Sequence, residues 1–287
     1  MSLRVVTPGP STLVQDAGRP GLAHLGVGPS GAFDRAALRQ ANRLLGNPED
    51  AAVLETFGGL TLVAEGRHVV ALAGSAGAVL VDGSPMSSGR AIVLREGSTL
   101  EVAAPAHGLR RTVAVAGGIA VPEVLGSRSR DTLAGLGPDP LAAGDQLPVG
   151  PAGRVPPHAD VEPTPRSGDL EVRLVPGPRD DWFTPGALAL LCRTGWRVSD
   201  RSDRIGVRLD GPPLERRRTD ELPSEPVVRG SIQVTSSGLP VVLGPDHPVT
   251  GGYPVIAVVR DADVDLLAHV APGRMVRFRR AGPARGA

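Results

Sequence analysis

Glycine at 38 and proline at 29 of 287 positions cut this chain into short runs of valine, isoleucine, leucine and threonine. Few long helices survive such punctuation, because proline removes a backbone donor and glycine favours turns. Short strands bounded by turns do survive. The clearest runs are His68 to Ala73, Ala78 to Val81, Ala91 to Leu94, Thr99 to Ala103 and Arg111 to Ala116. The second ends in Asp82-Gly83, a dipeptide that closes antiparallel hairpins. The fold expected is mainly β with a few short helices, and 41% hydrophobic residues suffice for a core.

Two helices interrupt the pattern. One is expected from about Gly31 to Leu45, with Ser30 as N-cap, Asp34 in the first turn and Gly46 past the end. Phe33, Ala37, Leu38, Ala41, Leu44 and Leu45 give it an apolar stripe. The other starts with Thr184 as N-cap and Pro185 in the first helical position, and stops near Gly195.

The two helices occupy corresponding places in an internal duplication. Arg4 to Pro10 reads like Val172 to Pro178, an offset of 168, and Glu55 to Leu60 resembles Arg208 to Pro213, an offset of 153. The first half therefore carries 15 extra residues, which fall in the segment Asp16 to Ser30. An insertion on a rigid scaffold either carries a site or is a tolerated surface loop. Gly150 to Gly168 holds five prolines and reads as a linker, which divides the chain into 1–150, 151–168 and 169–287.

The basic residues exclude several chemistries. All 31 are arginine, so no Schiff base can form, no G-x-x-x-x-G-K-[ST] phosphate loop is possible and biotin cannot be attached. Against 30 acids the net charge is +1, which favours neither nucleic acid nor an anionic membrane. The lone Cys192 excludes a disulfide framework and fits a reducing compartment. No signal sequence or membrane span is read, so a cytoplasmic protein is expected. The six histidines lack metal-ligand spacing, and no metal is expected. Ala73 to Gly77 nearly matches a nucleophile elbow, but no helix follows, and it reads as a turn.

Three segments are candidate sites. In the first, Gln15, Asp16, Gly18, Arg19, Ser30 and Asp34 lie on glycine-rich turns around a helix start, where backbone N–H groups suit an oxyanion. The alternative is that Asp16 and Arg19 fix a turn and Ser30 only caps. In the second, Arg201, Asp203 and Arg204 offer either an anion-binding fork or a loop salt bridge. In the third, Thr250, Gly251, Gly252 and Tyr253 combine hydroxyls with two glycines that allow close backbone approach, or form a bulge.

Together VQDAGRPG with SGAFDR, then SDRIG, then TGGYP, resemble the family of the 5-oxoprolinase C subunit from Leu3 to Arg279. This family is also described as biotin-dependent carboxyltransferase or allophanate hydrolase subunit 2, and it includes the KipA proteins. The resemblance implies two cyclophilin-like β-barrel halves, a partner of the KipI type and a lactam-binding component of the LamB type. It further implies a small amide substrate, either 5-oxoproline opened to glutamate with ATP used by the whole complex, or urea carboxylated from biotin carried on another chain. A third role is that of a KipA-like regulator that antagonises a kinase inhibitor. Before TGGYP, where many relatives carry an acid, glutamine and threonine, this chain reads Asp246-His247-Pro248-Val249.

For amide chemistry, Asp16 is the candidate acid/base, with Gln15, Arg19 and Tyr253 as orienting or oxyanion donors. The first-half insertion and the TGGYP loop are expected to converge on the amide. With no phosphate loop and no cluster of acids, the chain is expected to be active only with partner proteins.

Overall fold

The computed structural model describes residues 2–154 and 169–282. They fall into two compact units, and most of the linker, 155–168, lies outside the described residues. The first unit holds residues 2–19, 30–131 and 135–154, and the second holds 20–29, 132–134 and 169–282. Two pieces of the first half thus count with the second unit. There Thr132 donates through its N and Oγ1 to Asp246, and a Cβ on Gly28 would lie 2.8 Å from the His247 carbonyl oxygen.

The first unit is built from two sheets. Six strands run in the order Gln146–Pro148, Ser2–Pro8, Leu60–Glu65, Thr99–Val102, Val79–Val81, Ser84–Pro85. Five run in the order Thr12–Gln15, Val53–Thr56, Arg111–Val115, His68–Gly74, Ile92–Leu94. The Asp82-Gly83 hairpin forms as its sequence predicts, with both residues at positive φ and Val81 opposite Ser84.

Residue alternation decides what each face of the five-stranded sheet covers. Val70, Leu72, Val113 and Val115 enter the core that also takes in Leu3, Leu62 and Leu100 of the other sheet. Their neighbours Ala71, Ala73, Ala114 and Ala116 face the opposite way, as period-two geometry requires, and meet helix α1, Arg35–Leu45. Small side chains on that face let α1 lay Ala37, Leu38, Ala41, Leu44 and Leu45 directly onto the strands.

Helix α1 begins later than its sequence suggests. Asp34, not Ser30, is the N-cap, and its carboxylate accepts from Ala37 N at 2.8 Å. Ser30 instead takes φ 51°, outside the helical range, and donates its hydroxyl to the Arg130 carbonyl at 3.1 Å.

The second unit closes. Its seven strands run Leu170–Pro176, Val255–Val259, Ser231–Val234, Pro240–Leu243, Gly206–Asp210, Gly195–Val198, Met275–Arg280, and the last returns to the first in parallel register, Leu170 opposite Val276. Closure leaves no open edge in this barrel. Helix α2, Ala187–Arg193, is capped by Gly186 rather than Thr184, so Pro185 lies outside it. A third helix, α3 at Asp261–Leu267, has no counterpart in the sequence expectation; its Val264 and Leu267 are buried and Arg173 grips Asp263 through two side-chain bonds of 2.8 and 2.6 Å. Among the described residues no helix is long and apolar enough to cross a membrane.

The alanine face carries a testable requirement. Ala114→Leu should wedge α1 off the sheet and lower stability by about 1–3 kcal/mol, measured as a drop in the far-ultraviolet circular dichroism midpoint in urea. An unchanged midpoint would show that the helix does not need the small face.

Candidate functional site

In the first unit, Gln15 ends a strand paired with Val53, and the chain then turns sharply through Asp16 to Gly18. The Asp16 carboxylate closes the turn. Its Oδ1 accepts from Gly18 N at 2.8 Å, Ser127 Oγ at 2.7 Å and Ser129 Oγ at 2.5 Å, and its Oδ2 accepts from Arg128 N at 2.6 Å. Three donors converge on Oδ1 and one on Oδ2, so Asp16 holds two loops together while Oδ2 keeps room for one further hydrogen bond on the side of the carboxylate that lines a cleft.

Arg19 lies on the same partner loop. Its Nη2 donates to the Ser129 carbonyl at 2.5 Å and its Nε to Val124 at 3.3 Å, while Nη1 is buried without a partner. Gln15 donates from Nε2 to the Arg130 carbonyl at 2.9 Å, and its Oε1 is likewise buried and unpartnered. Gly31 is required beside them, since its φ is 91° and a Cβ would lie 2.9 Å from Ala17 C.

The structure thus gathers Gln15, Asp16, Gly18, Arg19 and Ser30 around Ser127 to Arg130. Sequence reasoning misses that last segment, although its alternation of serine with arginine is the signal that could mark it. Beside Asp16 opens a cleft of about 470 Å³ whose lining includes Asn47, Gly117, Glu123, Gly126 and Arg128.

In the second unit the Arg201 to Arg204 segment is mostly committed internally. Asp203 Oδ1 accepts from the backbone N of Ile205 at 2.8 Å and of Gly206 at 2.9 Å. Arg201 is exposed. Arg204 grips Asp246 in a bidentate pair, Nε to Oδ2 at 2.9 Å and Nη2 to Oδ1 at 3.1 Å, and both side chains are buried. Burial pushes the Asp246 carboxyl up, but the Arg204 charge and the bonds from Arg204 and Thr132 outweigh it and hold the group below its ordinary range.

The TGGYP loop is a short ladder on the same unit. Thr250 and Gly251 pair with Pro226 and Glu225, and Glu225 is held low in pKa by Arg179, whose Nε donates to it at 2.9 and 2.8 Å. Gln233 supports the loop from below, donating from Nε2 to the Tyr253 carbonyl at 3.2 Å. Gly251 makes room for it, because a Cβ there would lie 2.4 Å from that nitrogen. Gly252 lies above Leu222, whose carbonyl is 3.5 Å from where its Cβ would be. The Tyr253 side chain is 44% exposed and so is open to a ligand. The Arg216 guanidinium, which no sequence motif singles out, lies 5.9 Å from its ring centroid.

Residues 25–280 match the family described as carboxyltransferase domain, subdomain A and B. The chain belongs to this carboxyltransferase-domain family. Within it, the chain is homologous to the C subunit of 5-oxoprolinase: it is 37% identical to that protein of Escherichia coli strain K12, over 96% of this chain and 90% of the relative. It is also 31% identical to the urea amidolyase of Lachancea kluyveri over 96% of this chain but 17% of the relative.

Solved structures agree with the fold. That of TTHA0988 matches with TM-score 0.89 at 37% identity over 97% of this chain and 55% of that one, so this chain spans about half its length. The Kluyveromyces lactis urea carboxylase matches with TM-score 0.90 at 29% identity, over 98% of this chain and 27% of that one.

Two carboxylates carry consequences. Asp16→Asn puts an amide donor against the Ser127 to Ser129 donors and should lower stability by about 1–3 kcal/mol, measured by circular dichroism in urea; full stability would show that the charge is not what holds the loop. Asp246→Ala removes the carboxylate opposite the buried Arg204 and should destabilise the second unit by about 3–5 kcal/mol. Both tryptophans, Trp182 and Trp196, lie in that unit, so their fluorescence in urea is the readout. Because the folded Asp246 titrates low, the pair's contribution is present above pH ~4 and disappears as acid protonates it. A wild-type fluorescence midpoint that does not fall more steeply on acidification than that of Asp246→Ala would contradict this.

Proposed function

We propose that this chain is the carboxyltransferase-type C subunit of an ATP-dependent 5-oxoprolinase, which opens 5-oxoproline to glutamate only as a complex with partner proteins. The observation that carries this reading is coextension: the match to the Escherichia coli relative covers 96% of this chain and 90% of that protein. Opening a lactam requires donors at the carbonyl oxygen where charge develops, and a leaving nitrogen that gains a proton. In the first unit Gln15 and Arg19 supply amide and guanidinium groups suited to orienting an amide; in the second, Tyr253 supplies an exposed phenol. Asp16 supports the loop that carries the first two.

The ATP chemistry belongs to the complex. A chain without lysine has no phosphate-loop cation, which supports a partner, KipI-like or LamB-like, as the bearer of the nucleotide. The same reading assigns the complex to the cytoplasm, in keeping with a single cysteine.

A second reading rests on the carboxyltransferase family match and on the similarity to urea amidolyases. It is carboxyl transfer to urea or another small amide, with biotin on a separate chain, since biotin is attached through a lysine amine and there is none here.

The decisive experiment is reconstitution. The purified chain alone should hydrolyse no ATP in the presence of 5-oxoproline, and the mixture with the KipI-like and LamB-like proteins should release phosphate and glutamate together. Robust 5-oxoproline turnover by the isolated chain would sink partner dependence. Carboxylation of urea by chain plus a biotinylated partner, with no glutamate formed from 5-oxoproline, would favour the second reading.

A further inference from the structure

We propose that Arg216, with Tyr253 beside it, is the recognition site for a carboxylate on the ligand of the second unit. The proposal deepens the 5-oxoprolinase reading and rests on it for the identity of the ligand, since 5-oxoproline carries a carboxylate next to its lactam whereas urea carries none.

The observation behind it is an exception among arginines. Five described arginines of the second unit are not exposed: Arg173, Arg179, Arg204, Arg216 and Arg229. Four have carboxylates, Asp263 for Arg173, Glu225 for Arg179, Asp246 for Arg204, and Asp261 with Asp265 for Arg229. Arg216 forms no ion pair among the described residues. Its Nη2 donates to the Val234 carbonyl, and its Nε is buried without a partner. Burial lowers its pKa, and Tyr253 opposes that shift in part.

The group is also held in place. Residue 216 bridges Phe183 through its backbone, and Nη2 is fixed on the strand Ser231–Val234. The same strand steadies the ring, because Gln233 donates to the Tyr253 carbonyl and Val234 N donates to the Pro254 carbonyl at 3.2 Å. A guanidinium standing by an exposed phenol, its Nη2 and the phenol's backbone both fastened to one strand, is prearranged for an anion. A carboxylate can take N–H donors from the one and an O–H from the other.

Tyr253 is the only tyrosine, so a ¹³C-labelled tyrosine ring gives one resonance at the site. The experiment titrates 5-oxoproline, and separately 2-pyrrolidinone, the same lactam without the carboxylate, into the labelled chain alone and into the complex it forms with the KipI-like and LamB-like proteins. A saturable shift is expected with 5-oxoproline and none with 2-pyrrolidinone. Arg216→Met should abolish the shift, and Arg216→Lys should retain it with roughly ten-fold weaker binding. Thermal melts establish that each variant is folded, and the two-lactam comparison on the wild-type chain decides the matter even if one is not.

Absence of any carboxylate-dependent shift in both preparations would overturn the proposal, as would an identical shift in Arg216→Met. The two readings separate cleanly. A shift with 5-oxoproline but no turnover by the complex would sink the 5-oxoprolinase function and leave the arginine assignment standing. Turnover with an unchanged KM for 5-oxoproline in Arg216→Met would sink the assignment alone.

Discussion

Arg111 donates from Nη1 to the carbonyls of Ala78 and Ala103 and from Nη2 to Gly77, and it does so while buried and without a carboxylate. Burial lowers its pKa to about 10, so it stays charged at neutral pH. This is the constraint on which much else depends: a chain whose cations are all arginines fastens its loops with planar, multi-donor groups aimed at backbone oxygens. Arg19 clasps Val124 and Ser129 in the same way, and Arg216 clasps Val234. A lysine offers a compact charge in place of this fork and could not serve three carbonyls in fixed directions.

Carboxylates complement that role. Asp16 gathers serine hydroxyls and backbone donors, Asp34 caps a helix and Asp203 folds its own turn. Each lies in a motif that also serves to identify the family, and each turns at least one carboxylate oxygen to the protein's own donors. A polar residue in a recognisable motif can therefore mark the architecture of a site rather than its chemistry. Among the buried atoms without a hydrogen-bond partner, Gln15 Oε1 and Arg19 Nη1 lie in the same VQDAGRPG motif as Asp16, whereas Arg216 Nε lies in none of the motifs.

Much of the fold was legible because local signals and burial agreed. The valine and alanine alternation at His68–Gly74 and Arg111–Val115 reads as strand whichever face is considered, and Asp82-Gly83 can do little but turn. Helix α3 was illegible because its seven residues include three aspartates, poor helix formers whose charges meet Arg173 and Arg229 from elsewhere in the chain. Ser30 looked like a cap because nothing local reveals that its hydroxyl belongs to Arg130. The Ser127 to Ser129 loop and Arg216 were missed for the same reason: their meaning lies in partners 111 to 113 positions away in one case and 18 in the other.

The parallel pairing of Leu170–Pro176 with Met275–Arg280 fixes an order of events during synthesis. The first strand of the barrel emerges early and must wait for both of its neighbours, Val255–Val259 on one edge and the closing strand on the other. In the first unit Ser2–Pro8 gains Leu60–Glu65 early and waits for Gln146–Pro148 to fill its other edge, but that wait is over before the barrel strands emerge. For that interval the nascent second unit is an open sheet with an unsatisfied ladder, the form in which β proteins are most exposed to pairing with the wrong chain. The closed barrel removes this hazard once complete, and a ribosome that stalls before residue 275 leaves it in place.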